Sequence, residues 1–253
     1  MTDIAQRAAL VTGAASGIGR AVVAALVARG VAGLVLIDRD AARLDAVARE
    51  TGDVPVLARA HDVADETAWE ASEAAIRDRF GTLGEAVVNA GVADNAPIVE
   101  TSLARWRALM AVNLDGAMLT LRTAMRLMPG GGAIVTMCSA AGVRAMPGAG
   151  AYAASKAGLL HLTRVAALEG ASTGIRVNAL CPGGVETAIW KQTPGWASLV
   201  AAKGEAGAFA AMAAGTPLKR FATPDEVARD VLSLLVPGVT TGACLVSDGG
   251  FAL

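Results

Sequence analysis

The chain is poor in the residue types that build most kinds of site. It has one tyrosine, two histidines and three cysteines in 253 residues. Two histidines leave little material for a metal centre, and none is expected. Cys138, Cys181 and Cys244 are odd in number and far apart in sequence. They fit neither a disulfide framework nor a zinc knuckle, so buried small residues of a reduced protein are expected. A net charge of −1 offers no basic surface for nucleic acid or an anionic membrane. No uninterrupted apolar stretch approaches membrane-spanning length, and the opening residues carry an acid and lead straight into an apolar run. Neither a signal peptide nor a membrane segment is expected, which leaves a cytoplasmic location.

Two things are abundant. Hydrophobic residues make up 54% of the chain, ample for a buried core. The 29 glycines exceed the average share of about 7%, which suggests many places where backbone turns tightly or approaches a ligand.

Residues 8–12 are a short apolar run of buried-strand type, followed by Gly13-Ala-Ala-Ser-Gly17-Ile-Gly19 and a helical pattern over 20–29. Strand, glycine turn and helix together present backbone N–H groups to a phosphate. The Gly-x3-Gly-x-Gly spacing differs from the Gly-x-Gly-x-x-Gly fingerprint, and an ordinary strand-to-helix loop would also account for it. The next unit strengthens the phosphate reading. Residues 34–38 form a second strand ending in Asp38, 19 residues after Gly19. A carboxylate there accepts from adenosine ribose hydroxyls and repels a 2′-phosphate, favouring NAD over NADP. Arg39 next door could serve a phosphate instead.

A third strand at 55–59 leads to Asp62-Val63, where Asp62 could meet an adenine amino group or simply cap a helix starting near Asp65. A fourth at 86–89 runs into Asn89-Ala90-Gly91, small enough for close approach by a cofactor. A long helix within 101–128 carries Asn113 in its middle. Asparagine is a poor helix-interior residue, and a buried one needs partners. The fifth strand, 133–138, places Ser139 at its C-terminal edge, and a helix follows from about 152 to 170. The sixth, 175–180, ends in the Pro182-Gly183 turn. Residues 188–218, with Trp190 and Trp196, read as one or two short helices making a lid. Thr223-Pro-Asp-Glu226 is a capping box with proline at the first helical position. The seventh strand is 243–247. This alternation predicts one doubly wound, Rossmann-type α/β domain over 1–253, with about seven parallel strands and helices on both faces. Ligands would bind at strand C-terminal ends.

Tyr152 and Lys156 are four residues apart, hence one turn apart on one helix face. A phenol beside an ammonium suits proton transfer to and from an oxygen, because the cation favours the phenolate. Ser139, upstream, is a hydroxyl able to hold that oxygen.

Taken together, Thr12-Gly13-x3-Gly17-x-Gly19, Asp62-Val63, Asn89-Ala90-Gly91, Asn113, Ser139, Tyr152-x3-Lys156, Asn178-x3-Pro182-Gly183 and Asp248-Gly249-Gly250 resemble the short-chain dehydrogenase/reductase family over nearly the whole chain. The resemblance implies that Tyr152 is the general acid/base, with Lys156 beside it and on the nicotinamide ribose. It implies that Ser139 orients the substrate oxygen and that Asn113 holds a water of a proton relay. The cofactor set it implies is Gly13, Ser16, Gly17, Ile18, Gly19, Asp38, Arg39, Asp62, Val63, Asn89, Ala90, Gly91, Tyr152, Lys156, Pro182, Gly183, Val185 and Thr187. Val88 and Glu85 depart from the family pattern, outside the catalytic set. Family members like this one are usually homotetramers.

The leading expectation is an NAD-dependent dehydrogenase or reductase acting on a small-molecule secondary alcohol or ketone. An NADP-dependent 3-oxoacyl-thioester reductase shares the core motifs, and Asp38 counts against it. A non-catalytic nucleotide-binding protein of the same fold would have no need to keep Asn113, Ser139, Tyr152 and Lys156. Arg144, between Ser139 and Tyr152, is either an anion-binding residue for substrate or a solvated or interface side chain. Trp190 either walls an apolar substrate pocket or packs the lid down.

Overall fold

Seven short runs rich in valine, leucine, isoleucine and alanine pair side by side into one parallel sheet. They are β1 (Ala8–Thr12), β2 (Leu34–Asp38), β3 (Val56–Ala60), β4 (Leu83–Val88), β5 (Gly132–Met137), β6 (Ile175–Pro182) and β7 (Cys244–Ser247). A computed structural model describes residues 7–192 and 195–253. Residues 1–6, 193 and 194 of the predicted domain, the last two within the predicted lid, lie outside the described residues. The strand order is β3-β2-β1-β4-β5-β6-β7, every neighbour parallel. Near-continuous apolar runs are what a sheet covered on both faces requires.

The two-residue period of each strand divides its side chains between two cores. Val35 and Ile37 of β2 face one layer, with Trp69, Leu121 and Leu159. Leu34 and Leu36 face the other, with Val22, Leu26, Leu44 and Val231. The first layer is covered by α3 (Glu66–Phe80), α5 (Gly116–Arg126) and α6 (Gly150–Gly170), the second by α1 (Gly17–Ala28), α2 (Ala41–Glu50) and α8 (Pro224–Leu235). Each fully buried leucine or isoleucine contributes about 1.5–3 kcal/mol relative to exposure.

The predicted strands recur within a few residues, and the capping box is present at Thr223 and Glu226. Three elements differ locally from the expected ones. α1 begins inside the glycine turn, at Gly17. The predicted long helix is split into α4 (Leu103–Met110), a π turn (Ala111–Asp115) and α5. The lid contains a 3-10 turn (Ala188–Gln192) and α7 (Trp196–Ala213), interrupted at Gly204, whose φ of 70° is left-handed. The cysteines converge despite their sequence spacing. Cys138 directly follows β5, Cys181 lies in β6 and Cys244 opens β7, with the Cys181 and Cys244 sulfurs 3.3 Å apart; all three thiols are free, and Cys244 is only partly buried because β7 is the edge strand.

Beyond α8, Arg176 of β6 donates to the carbonyls of Leu234, Leu235 and Val236, closing the helix C-terminus with a cation. Desolvation holds its guanidinium below the usual arginine range. At the opposite end Thr223 accepts from the Glu226 amide at 3.2 Å, and the Glu226 carboxylate accepts from the Thr223 amide at 2.9 Å. Thr223→Ala is expected to cost about 1 kcal/mol and to lower the thermal midpoint by about 2–4 °C, measured by circular dichroism. An unchanged midpoint would mean that α8 is held by its apolar face alone.

Candidate active site

β1 turns into α1 through Gly13 and Gly17, both at positive φ, +65° and +51°. Gly19 is required by proximity: a Cβ there would stand 2.0 Å from the Gly13 carbonyl oxygen. Ser16 at the N-cap makes no side-chain cap, and the first turn of α1 carries no acid. Its amide groups are therefore available to an anion, as in a dinucleotide site. Asp38 at the end of β2 accepts from the Ala15 amide at 3.0 Å and the Asp40 amide at 3.1 Å, one bond to each oxygen. Its carboxylate thus stands against the glycine turn, and Arg39 beside it is exposed.

The end of β4 is stitched to the same turn. The Thr12 hydroxyl accepts from the Asn89 and Ala90 amides at 3.0 and 3.1 Å, and the Asn89 side-chain amide donates to the Thr12 and Gly13 carbonyls. Asn89 thus positions the turn with its side chain and offers a neighbouring ligand only its remaining atoms. Asp62 is exposed, and its carboxylate accepts from the Ala64 amide; the cap of α3 is Asp65. Val63 is buried against Gly116. Across the cleft, Thr187 approaches Gly17: a Cβ on that glycine would lie 3.3 Å from the threonine methyl. Pro182 and Val185 are buried and Gly183 is half-buried at the same end of β6. The predicted cofactor residues therefore lie along the C-terminal ends of the strands.

Ser139 follows β5 and opens a short 3-10 turn (Ala140–Gly142), accepting from the Ala141 amide at 3.2 Å. Tyr152 and Lys156 lie on the first two turns of α6, the ammonium 5.8 Å from the phenol ring centroid. Lys156 is buried and donates to the Met137 carbonyl at 2.8 Å. Its ammonium also borders Gly91, where a Cβ would lie 3.3 Å from both Lys156 Nζ and Asn113 Oδ1. Glycine at 91 thus lets the loop after β4 close over the lysine.

Asn113 has the partners that a buried amide requires. It sits in the π turn with no exposed surface. Its carbonyl accepts from the Val92 amide at 2.8 Å, and its amide donates to the Val92 carbonyl at 2.9 Å and to Ser155 Oγ at 3.1 Å. Ser155 in turn donates to the Tyr152 carbonyl. Thr12 and Ser155 are site-building residues to which sequence reasoning gave no role. A buried hydroxyl among apolar residues was the available signal, and it does not name a partner.

Cys138, next to Ser139, is the more acidic member of its pair with Cys181. The hydrogen bond from Cys181 pulls it below the usual thiol range and the Lys156 charge assists, while the same bond and burial push Cys181 up. Arg144 is exposed, donates from one guanidinium nitrogen to the Phe251 carbonyl and lies over that ring at 4.8 Å. Trp190 stacks on Phe221 with centroids 5.2 Å apart and donates to the Val185 carbonyl at 2.7 Å, as a side chain that packs the lid down does. Among the described residues no group of three His, Cys, Asp or Glu side chains could hold a metal ion, and no helix is long and apolar enough to cross a membrane.

Residues 13–252 match the family model described as Enoyl-(Acyl carrier protein) reductase. Cis-4-hydroxycyclohexanecarboxylate dehydrogenase from Sinomonas cyclohexanicum is 40% identical, over 98% of this chain and 97% of its own. Among solved structures, levodione reductase superposes with a TM-score of 0.89 at 32% identity, covering 98% of both chains. A short chain dehydrogenase/reductase family protein superposes with a TM-score of 0.83 at 31% identity, again over 98% of both. The chain belongs to the short-chain dehydrogenase/reductase family. Membership and these relatives support a hydride-transferring oxidoreductase acting at CH–OH groups with a nicotinamide cofactor, NAD or NADP.

The bonds of Asn113 can be tested without any substrate. Asn113→Ala orphans the Val92 amide and carbonyl and is expected to cost about 1–3 kcal/mol in urea unfolding. A loss within experimental error would mean that the side chain does not hold the loop after β4.

Proposed function

We propose that this protein is an NAD-dependent dehydrogenase and reductase of secondary alcohols and ketones, with Tyr152 as its general acid/base. The observation that carries the reading is the placement of Tyr152 and Lys156 on successive turns of α6, with the Lys156 ammonium against the Met137 carbonyl and Gly91. The uncapped first turn of α1 fits a diphosphate, and the Asp38 oxygens each retain a lone pair for ribose hydroxyls. The carboxylate repels a 2′-phosphate, which favours NAD. The bound nicotinamide supplies the hydride acceptor for oxidation and the donor for reduction.

In the oxidation direction Ser139 donates a hydrogen bond to the substrate oxygen and fixes the carbinol carbon. Tyr152 takes the hydroxyl proton as the carbon gives up its hydride, and in reduction it returns that proton. Lys156 keeps a positive charge beside the phenol, stabilising it when it is ionised. Asn113, linked through Ser155 to the Tyr152 carbonyl, holds the water through which the proton reaches solvent.

A second reading, NADP-dependent reduction of a 3-oxoacyl thioester, is favoured only by the exposed Arg39 beside Asp38. A homotetramer is the assembly proposed. Exposed Leu103 and Met118 on α4 and α5, Leu168 on α6, and Leu245 and Val246 on β7 give the chain apolar faces for its own copies.

A panel of secondary alcohols and ketones tests the reaction, beginning with cyclic alcohols because the relative at 40% identity is named for one. The expected kcat/KM with NAD exceeds that with NADP by at least about tenfold, a difference of about 1.4 kcal/mol. Asp38→Ser should narrow the gap. A clear NADP preference in the unaltered protein would overturn the assignment.

A further inference from the structure

The loop from 140 to 149 leaves Ser139 and returns to α6 two residues before Tyr152, so it frames the reacting oxygen on one side. Its middle is thinly anchored. Val143 and Met146 are exposed, and the Gly148 carbonyl accepts from the Ala96 amide at 2.8 Å. Among the described residues, the one side-chain hydrogen bond from this loop to a distant segment is Arg144 to Phe251. The guanidinium also covers the Phe251 ring at 4.8 Å, so both halves of one C-terminal residue hold it.

Phe251 is itself held in a built turn. The Asp248 carboxylate accepts from the Gly250 amide at 2.8 Å and the Ala252 amide at 2.7 Å, and the Asp248 carbonyl accepts from the Phe251 amide at 3.3 Å. This turn touches two further loops of the site. The Gly183 amide donates to the Ser247 carbonyl at 3.1 Å, and a Cβ on Gly183 would stand 2.8 Å from Asp248 Cα. The Leu218 amide donates to the Gly249 carbonyl at 3.1 Å, and a Cβ on Gly250 would lie 2.9 Å from Pro217. The chain's last residues thus meet the turn after β6 and the base of the lid, and Arg144 joins the loop beside Ser139 to both.

We propose that Arg144 is a positioning residue, clasping the 140–149 loop through Phe251 to the C-terminal turn that also braces Gly183 and the lid base. The clasp sets how much of the time the loop is closed beside Ser139 and Tyr152, so it acts on substrate binding and leaves the proton and hydride steps unchanged. The catalytic consequence rests on the dehydrogenase reading above; the clasp itself does not.

Arg144→Gln, Arg144→Lys, Phe251→Leu and the double variant Arg144→Gln/Phe251→Leu test it in the full-length protein. With the best neutral alcohol of the panel, Arg144→Gln and Phe251→Leu are each expected to raise KM about two- to fivefold, from loss of an exposed cation–π tie, with kcat within about twofold. Arg144→Lys, which keeps a cation over the ring, should recover part of the loss. The double variant should be no worse than Arg144→Gln alone, since Arg144→Gln already removes the cation over the ring that Phe251→Leu removes, together with the bond to the Phe251 carbonyl that Phe251→Leu leaves in place. Unchanged KM in both single variants, additive losses, or a fall in kcat at constant KM would overturn the proposal. Amide hydrogen exchange supplies a readout independent of turnover. Faster exchange across 142–148 in Arg144→Gln, with β1–β6 unchanged, is expected, and unchanged exchange there would overturn the clasp. If the unaltered protein turns over no alcohol, the dehydrogenase reading fails and the exchange result still decides the clasp.

Discussion

The buried hydroxyl of Thr12 ties the chain leaving β4 to the end of β1, where the strand order of the sheet reverses. β1 pairs with β2 on one side and β4 on the other, so the chain segments leaving β1 and β4 diverge and open a crevice. The Thr12 oxygen accepts from two successive amides after β4, and Asn89 returns two donations to the carbonyls of Thr12 and Gly13. Every part of the site is placed relative to this stitch. Gly13 and Gly19 fit against Asn89 because both lack a side chain, and Asp38 reaches the same turn through Ala15.

A second set of bonds carries that placement to α6. The loop after Asn89 is fixed by Asn113, whose amide pairs with both backbone groups of Val92 and with Ser155. The π turn widens the helix locally at the asparagine, a feature frequent at functional sites. One buried amide thus ties three segments: the end of β4, the α4–α5 helix and the helix bearing Tyr152. Lys156 completes the frame by bonding to the carbonyl of Met137, two residues before Ser139. The aromatic cluster of Trp190, Trp196, Phe209 and Phe221 gives the lid its own small core, separate from the two sheet layers.

Much of this was legible in the sequence, for reasons that are local. Buried parallel strands read as short apolar runs, the Thr223 box announces a helix start, and the Tyr152–Lys156 spacing declares a shared face. What stayed hidden depends on partners far away along the chain. Nothing near Asn113 indicates that Val92, 21 residues earlier, will satisfy its amide. Arg144 could be weighed as anion-binding or solvated, but its contact with Phe251 spans 107 residues and depends on where β7 ends. The cysteines were read as scattered because their convergence depends on strand order. Asp62 was offered as an adenine contact or a cap for α3, but Asp65 takes the cap with its own carboxylate.

The central claim is that Tyr152 moves the proton while the rest of the cleft binds and orients. It is tested most directly by Tyr152→Phe, which removes the hydroxyl and keeps the ring. The account predicts a fall in kcat of about 10²–10⁴, with NADH affinity, followed by its fluorescence, nearly unchanged. Turnover close to that of the unaltered protein, with the variant folded and binding NADH, would contradict it.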